Sequence, residues 1–437
     1  MVLIILYFIN TSYSNYSYSG NLNIRFFEAS QRLKGLSPDF ANLIHDTITD
    51  LIYTPGSASF LSQSLLFVDF SADSSPVYSI GYFSPSLIRK ISGGVYFESG
   101  IKNFQDPVLY NEASFKGWIR SIFSLGYAFN EGKMAISAGG DITKGTDRDI
   151  TYAPFGIYLP YTSTYTYDNK KFFANIIKNS GRFPAKINIE YQSCKIDSIC
   201  YDYGWYFHNY YYVDSSRHGD TLSYTYEDWY SHYENIKDEK EEHWSTWGIT
   251  LLSSLRPSPN RKTNLFISIK AGTEGKSFAY RYFNQDSSDI KRTWILEDST
   301  VIKDTVLEVD QTSGGLDGLY YPDRQLAIIS AGIGQENRLN DKTSVFVGLK
   351  LSINTSEDDE WERLFLPLGM EYKVFKELIV RAGVTMYAKR KYSDFERWNS
   401  YYFGIGFSPA NKLNIDLSNR GNLTNLSDWQ FGLIKRF

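Results

Sequence analysis

The feature that most constrains this chain is a two-residue hydrophobic period that recurs from about residue 64 to the C-terminus. Phe123, Leu125, Tyr127 and Phe129 alternate with small or polar residues, as do Met134, Ile136 and Ala138. Leu265, Ile267 and Ile269 repeat the pattern, then Val345, Val347, Leu349 and Leu351, then Leu366, Leu368, Met370 and Tyr372. Leu378, Val380, Ala382, Val384 and Met386 follow, and Tyr401, Phe403, Ile405 and Phe407 after them. Side chains of a strand point to opposite faces in turn, so each segment is a strand with one apolar and one polar face. The intervening residues are mainly Ser, Thr, Gly, Lys, Arg and Glu, which describes a wall apolar on the outside and polar on the inside.

The connections point the same way. Short turns at 130–133, 181–184, 255–262, 335–342, 373–377 and 408–412 alternate with longer polar stretches at 99–116, 142–170, 193–245, 272–325, 353–363 and 388–399. A membrane barrel sorts its connections in this manner and a soluble sandwich has no reason to. The expectation is an all-β fold, a transmembrane antiparallel β-barrel of about 14–16 strands, set in the lipid bilayer of a bacterial outer membrane. An even strand number would leave both chain ends on the periplasmic side.

Composition agrees. Aromatic residues make up 17 % of the chain, with 35 Tyr and 29 Phe, which suits two interfacial girdles better than a soluble core. Mean hydropathy is −0.34, and no run approaches the ~20 apolar residues of a membrane helix. The net charge of −4 is mild and mixed, so no basic block points to nucleic acid.

Three segments divide the chain. Residues 1–19 read as a signal peptide, because residues 2–9 form an apolar run of the right length, with a cut expected between Ser14 and Ser19. The alternative for this run is a buried N-terminal strand. Residues 20–64 read as a plug or capping segment, and 65–437 as the barrel, with long outer loops at 193–245 and 272–325. Within the second segment, 37–52 has helical spacing: Phe40, Leu43, Ile44, Ile48, Leu51 and Ile52 form an apolar stripe. Ser37 suits the N-cap and Pro38 the first turn, Asp39, Asn42, Asp46, Thr49 and Asp50 fill the other face, and Thr54, Pro55 and Gly56 end the helix. Its apolar stripe either enters the lumen as a plug or lies on the membrane surface.

Cys194 and Cys200, close together in polar sequence, are expected to form a disulfide in an exported protein, with a reduced pair as the alternative. They are too few for a zinc site. No serine-hydrolase elbow, phosphate loop or metalloprotease helix is present, so no catalytic residue and no cofactor is assigned. His208, His218, His232 and His243 are too widely spaced to suggest a metal site and read as solvated residues. The aromatic stretch within 201–243 fits a girdle with strand extensions, a cap over an apolar ligand groove, or a contact surface for sugar or protein.

The last residues carry a resemblance. Trp429, Phe431, Leu433 and Phe437 share one strand face, and the chain stops on an aromatic. This resembles the insertion signal of outer-membrane barrels, read by the barrel assembly machinery: Gln430, Gly432 and Phe437 match it, while Lys435 stands where an aromatic is expected. Asp46, Ile52, Tyr53 and Pro55 are similar to the segment before the first strand in FadL-like and PorV-like barrels, with Thr54 and Gly56 in place of Asn and Ala. The stretch 125–140 resembles their central hairpin. The resemblance implies a plug inside the barrel. It also implies either passage of small hydrophobic compounds or a secretion role with a protein partner at the outer loops.

Overall fold

The computed structural model describes residues 29–437 except 72–76, 107–110, 131, 153–160, 180–182, 215–220, 297–299, 356–360, 392–393, 422 and 424–427. The expected signal segment, 1–19, lies outside the described residues.

Sixteen antiparallel strands form one closed barrel in which each strand pairs with its neighbours in sequence. They are β1 (Leu65–Ser71), β2 (Val77–Ile88), β3 (Ile91–Asp106), β4 (Asn111–Phe129), β5 (Met134–Tyr152), β6 (Tyr161–Lys178), β7 (Ala185–Asp214) and β8 (Thr221–Ser258). The second half is β9 (Arg261–Leu296), β10 (Val301–Arg338), β11 (Thr343–Asn354), β12 (Trp361–Lys373), β13 (Leu378–Lys391), β14 (Asp394–Ala410), β15 (Leu413–Arg420) and β16 (Trp429–Arg436). β1 pairs with β16 from Leu65↔Arg436 to Ser71↔Gln430, which closes the ring. Among the described residues no helix is long and apolar enough to cross a membrane.

The alternation read from sequence sets the wall. On β9, Ile267 is 49 % exposed and Ser268 is 1 % exposed. Val347, Leu349 and Leu351 on β11 likewise face out while Ser352 is buried. An outward apolar band around a closed ladder leaves no unpaired backbone group in the lipid, so the chain is a transmembrane β-barrel of the outer-membrane kind.

The expected long loops at 193–245 and 272–325 are instead strand. β8 and β10 each run 38 residues, β9 36 and β7 30. At about 3.3 Å per residue, β8 reaches roughly 125 Å, several times what a bilayer requires. The stretches 99–116 and 142–170 are also largely strand. The reason is physical: above the lipid both faces of a strand meet water, so the two-residue hydrophobic period vanishes while the backbone ladder continues. β7 to β10 therefore rise as a wall on one side of the rim, here called the tall end. The chain enters β1 and leaves β16 at the opposite, plug end. The side chains at 201–229 lie outside the described residues, and with them His208, His218 and the readings of the aromatic stretch; the side chain of His232 lies outside them too. His243 sits 3.9 Å from Glu241.

The helix expected at 37–52 is broken. α1 (Gln31–Leu36) precedes a 3₁₀ turn at Pro38–Phe40, and α2 (Thr47–Tyr53) precedes a second at Pro55–Phe60. Asn42 takes φ 68°, which ends helical progression, and Asp46 is an N-cap whose side chain accepts from the Thr49 amide at 2.9 Å. Ser37 caps only the short turn, accepting from the Asp39 amide. The freed Leu43 carbonyl accepts from Asn264 of β9 at 2.8 Å, a wall contact that sequence periodicity cannot show.

The expected disulfide is also corrected: Cys194 and Cys200 are not bonded to each other. Both lie on β7, six residues apart on the inner face, so their Cα atoms are ~20 Å apart, far beyond the ~7 Å a bridge spans. Unfolding the oxidised protein in an alkylating reagent should therefore label both thiols without reductant; a single or absent label would show a bridge.

Candidate functional site

The segment 29–64 folds inside the barrel at its plug end. Its apolar residues complete the cores of the wall: Ile48, Leu51, Ile52 and Ala58 pack with Leu65, Phe67, Phe83, Tyr96, Ile122 and Phe173. Leu33, Leu36, Phe40, Leu43 and Ile44 pack with Phe266 and Phe346. Each such buried side chain stabilises seating by about 1.5–3 kcal/mol. α1 lies along β12 to β16, and the 3₁₀ turn Pro55–Phe60 lies along β2 to β6.

Close approach requires bare backbone. A Cβ on Gly383 would stand 1.3 Å from the Leu36 carbonyl oxygen, and one on Gly334 2.0 Å from that of Leu43. A Cβ on Gly56 in the plug would stand 1.9 Å from the Ser137 side-chain hydroxyl. Gly404 faces Gly35, and Gly432 faces Gln31 and Asp69. By register these wall glycines all point inward, forming a seam in which the plug sits.

Polar groups orient it. Arg32 donates to both oxygens of Glu371 at 2.8 and 3.0 Å, and Arg381 donates to Glu371 at 2.9 Å and to Asp416 at 2.5 Å. Gln31 donates to Asp69 at 3.1 Å and accepts from Ser418 at 2.5 Å. Ser37 and Thr385 share a bond of 2.6 Å, and Tyr387 donates to Asp39 at 2.5 Å. On the opposite side Lys186 of β7 donates to Asp50 at 3.1 Å, and the His45 ring lies 2.5 Å from the same carboxylate oxygen.

The C-terminal residues have a part in this seat. Gln430 accepts from Lys34 at 2.7 Å, and Gly432 leaves room for Gln31. Trp429, Phe431 and Leu433 point to the lipid side, opposite in parity to Gly432 and its partner Asp69. The Phe437 amide donates to the Ser64 carbonyl, extending the seam by one bond.

Other inner residues were not singled out by sequence. Arg120 donates to Asp141 at 2.8 Å and to Glu98 at 3.4 Å, and Glu190 pairs with Lys171 at 3.3 Å and with Lys270. A charge at an alternate position inside an apolar-alternating strand was the available signal, since such a residue must face the lumen. Phe365 meets Tyr387 edge-on at 5.5 Å, Tyr387 stacks on Trp398 at 5.1 Å, and the Arg363 guanidinium lies 4.7 Å from the Trp361 ring. These form an aromatic inner strip on β12 to β14 that rises from the plug toward the tall end.

The plug does not fill the whole section. Between it and β6 to β9 lies a pocket of about 240 Å³, with Ile44, Leu51, Phe60 and Leu252 on its apolar face and a larger set of polar lining residues that includes Asp50, Lys186, Arg256, Lys262 and Asn264.

The geometry defines a class: a sixteen-stranded transmembrane barrel with the segment 29–64 folded inside its lumen. No protein-family model and no curated protein matches the sequence. Among solved structures, a Pseudomonas aeruginosa FadL homologue overlaps at TM-score 0.39 and 9 % identity, covering 93 % of this chain and 96 % of the other. The TodX monoaromatic hydrocarbon channel, as its deltaS2S3 mutant, overlaps at 0.41 and 10 %, covering 93 % and 97 %. The siderophore receptor PiuA from Acinetobacter baumannii overlaps at 0.38 and 8 %, covering 86 % and 82 %. These are overlaps of overall plan, and the class rests on the closed sheet itself.

Two outcomes follow. Gly383→Val drives a side chain into the Leu36 carbonyl and should unseat the plug, at a cost of about 3 kcal/mol. Trypsin should then cut at Arg32 or Lys34 while the barrel keeps its heat-modifiable mobility. The second concerns pH. Burial alone would raise the pKa of Asp50, but Lys186 and His45 outweigh it and hold the carboxylate below its ordinary value. A depressed carboxylate stabilises seating above the unfolded pKa of about 4 and loses that contribution only as pH falls through its lower folded value. The Asp50 contribution to protease protection, read as the difference between the native protein and Asp50→Asn, should persist from neutral pH to about 4 and fall in stronger acid.

Proposed function

We propose that the protein is a passive outer-membrane transporter for small hydrophobic compounds, held closed in this conformation by its N-terminal plug. The observation that carries the reading is the pocket left beside β6 to β9: α1 and the 3₁₀ turn pack on the arcs β12–β16 and β2–β6 that flank β1, and on the remaining side the plug meets the wall through Asp50–Lys186 and Leu43–Asn264 around that pocket. Ile44, Leu51, Phe60 and Leu252 give this pocket an apolar face within a lining of mostly polar residues, and an apolar face with polar groups around it can orient a small molecule. The aromatic strip on β12 to β14 offers apolar contact along the route from the tall end. Plug displacement would widen the pocket into a path. In this reading the plug end and both termini are periplasmic, the tall end is outside the cell, and the barrel assembly machinery reads the C-terminal strand.

A second reading is favoured by the wall of β7 to β10. Strands carried so far beyond the lipid present a large surface, which suits a PorV-like secretion or assembly component that binds protein at its outer side.

The test is a reversible lock. Ser37 and Thr385 are side by side, so Ser37→Cys with Thr385→Cys, in a Cys194→Ser, Cys200→Ser background, should pin α1 to β13 when oxidised. Liposomes bearing the locked barrel should take up a small aromatic hydrocarbon at least about tenfold more slowly than after reduction. Equal uptake in the two states would sink the moving-plug transporter. A stable protein partner recovered from detergent extracts in near-equal amount would then support the second reading.

A further inference from the structure

The plug-end rim carries a chemical pattern that the transport reading does not use. Seven turns connect strands there, from β2–β3 to β14–β15, and each holds or adjoins a lysine or arginine. Lys90, Lys342, Lys376 and Lys412 are exposed, as is Lys133 at the β4–β5 turn, where Asn130 and Gly132 take φ of 52° and 78°, while Lys178 and Arg256 are exposed at the mouth of the pocket. Exposed large apolar side chains share the same rim: Ile88 at 68 %, Phe183 at 61 %, Leu339 at 65 % and Phe375 at 66 %, with Leu255 and the terminal Phe437. Acidic residues are sparse among the described turn residues: Asp341 accepts from Arg338 at 2.9 Å, and Glu377 neighbours Lys376. The whole chain has a net charge of −4, so the cationic rim is a local feature.

Lys435 belongs to this pattern. It departs from the aromatic expected at its place in the C-terminal strand, and it shares the lipid-facing parity of Phe431 and Leu433. Its register partners are Leu66 and Leu413. A lysine there lays its stem along apolar neighbours and lifts its ammonium to the phosphate level.

We infer that the plug-end rim is a collar for anionic phospholipids: the turn cations bind headgroup phosphates of the adjoining leaflet while the turn apolar residues enter the acyl boundary. The argument is charge complementarity combined with amphipathic placement. A soluble anion would need only the cations, and a neutral lipid surface only the apolar residues; both together, repeated around the rim, match a charged lipid surface. The inference does not depend on what crosses the lumen.

The test uses the full-length folded barrel in mild detergent, incubated with equal amounts of phosphatidylglycerol and phosphatidylcholine of identical chains and read by native mass spectrometry. Retained lipid should favour phosphatidylglycerol by about tenfold or more, a few cations near an anionic surface each contributing up to about fivefold. The combined variant Lys90→Gln, Lys342→Gln, Lys376→Gln, Lys412→Gln and Lys435→Gln should bring the preference to about twofold or below. Substituting Lys291→Gln and Arg292→Gln at the tall end should leave it intact. Heat-modifiable mobility reports folding of each variant, and if the combined one fails to fold, Lys376→Gln and Lys435→Gln singly should each lower the preference. Equal retention of the two lipids, or a preference untouched by the rim variants, overturns the collar. Displacement of the bound lipid by excess inorganic phosphate overturns it too, since that would mark a site for a free anion.

Discussion

The seven-residue ladder between β1 and β16 is the contact on which the molecule depends. In a bilayer an unpaired strand edge exposes amides and carbonyls to hydrocarbon, at several kcal/mol per group. Fifteen of the sixteen pairings join strands adjacent in sequence, so they need only local turns; the sixteenth joins the two ends of the barrel. β1 and β16 are short, 7 and 8 residues, so closure is confined to a narrow band beside the plug. The same strands hold Asp69, Gln430 and Gly432, which receive Gln31 and Lys34. Closing the sheet and seating the plug thus draw on one set of residues.

The plug shows how a polar lumen accepts a partly apolar segment. Its leucines and isoleucines occupy apolar patches at the plug end, while Arg32 and Asp50 meet wall charges on opposite sides. Buried ion pairs add little net stability once desolvation is counted, but they penalise wrong placement heavily, because a shifted Arg32 would leave Glu371 and Arg381 badly matched. The glycine seam adds a steric condition: the backbone of α1 and of Leu43 fits only where the wall has no side chains. Hydrophobic burial supplies the driving force, and glycine and charge decide the position.

Closure and asymmetry have one consequence for function. The plug packs along the arcs that flank β1 and leaves a pocket beside β6 to β9, which is also the sector where β7 to β10 rise above the rim. A pocket inside and a projecting sheet outside therefore share one side of the barrel. The basic and apolar turns lie at the other end, where the wall meets lipid headgroups.

Some of this was legible without coordinates. The period-two runs at 123–129, 345–351 and 401–407 determine a half-lipid, half-lumen wall, because on a strand only alternate residues share a face. The same parity locates Trp429, Phe431 and Leu433 on the lipid side. Helical spacing found the residues of the plug but joined them into one helix, since periodicity carries no information about Asn42 turning back or Leu43 bonding to Asn264. The stretches 193–245 and 272–325 looked like loops because a strand wet on both faces has no hydrophobic period. Cys194 and Cys200 looked bridgeable because separation in sequence says nothing about an extended backbone between them. Composition and alternation by themselves determined a membrane barrel; which inner glycines receive the plug, which charges meet across the lumen, and how far β7 to β10 extend were decided only by tertiary structure, because the plug contacts join residues hundreds of positions apart and a strand wet on both faces leaves no hydrophobic period.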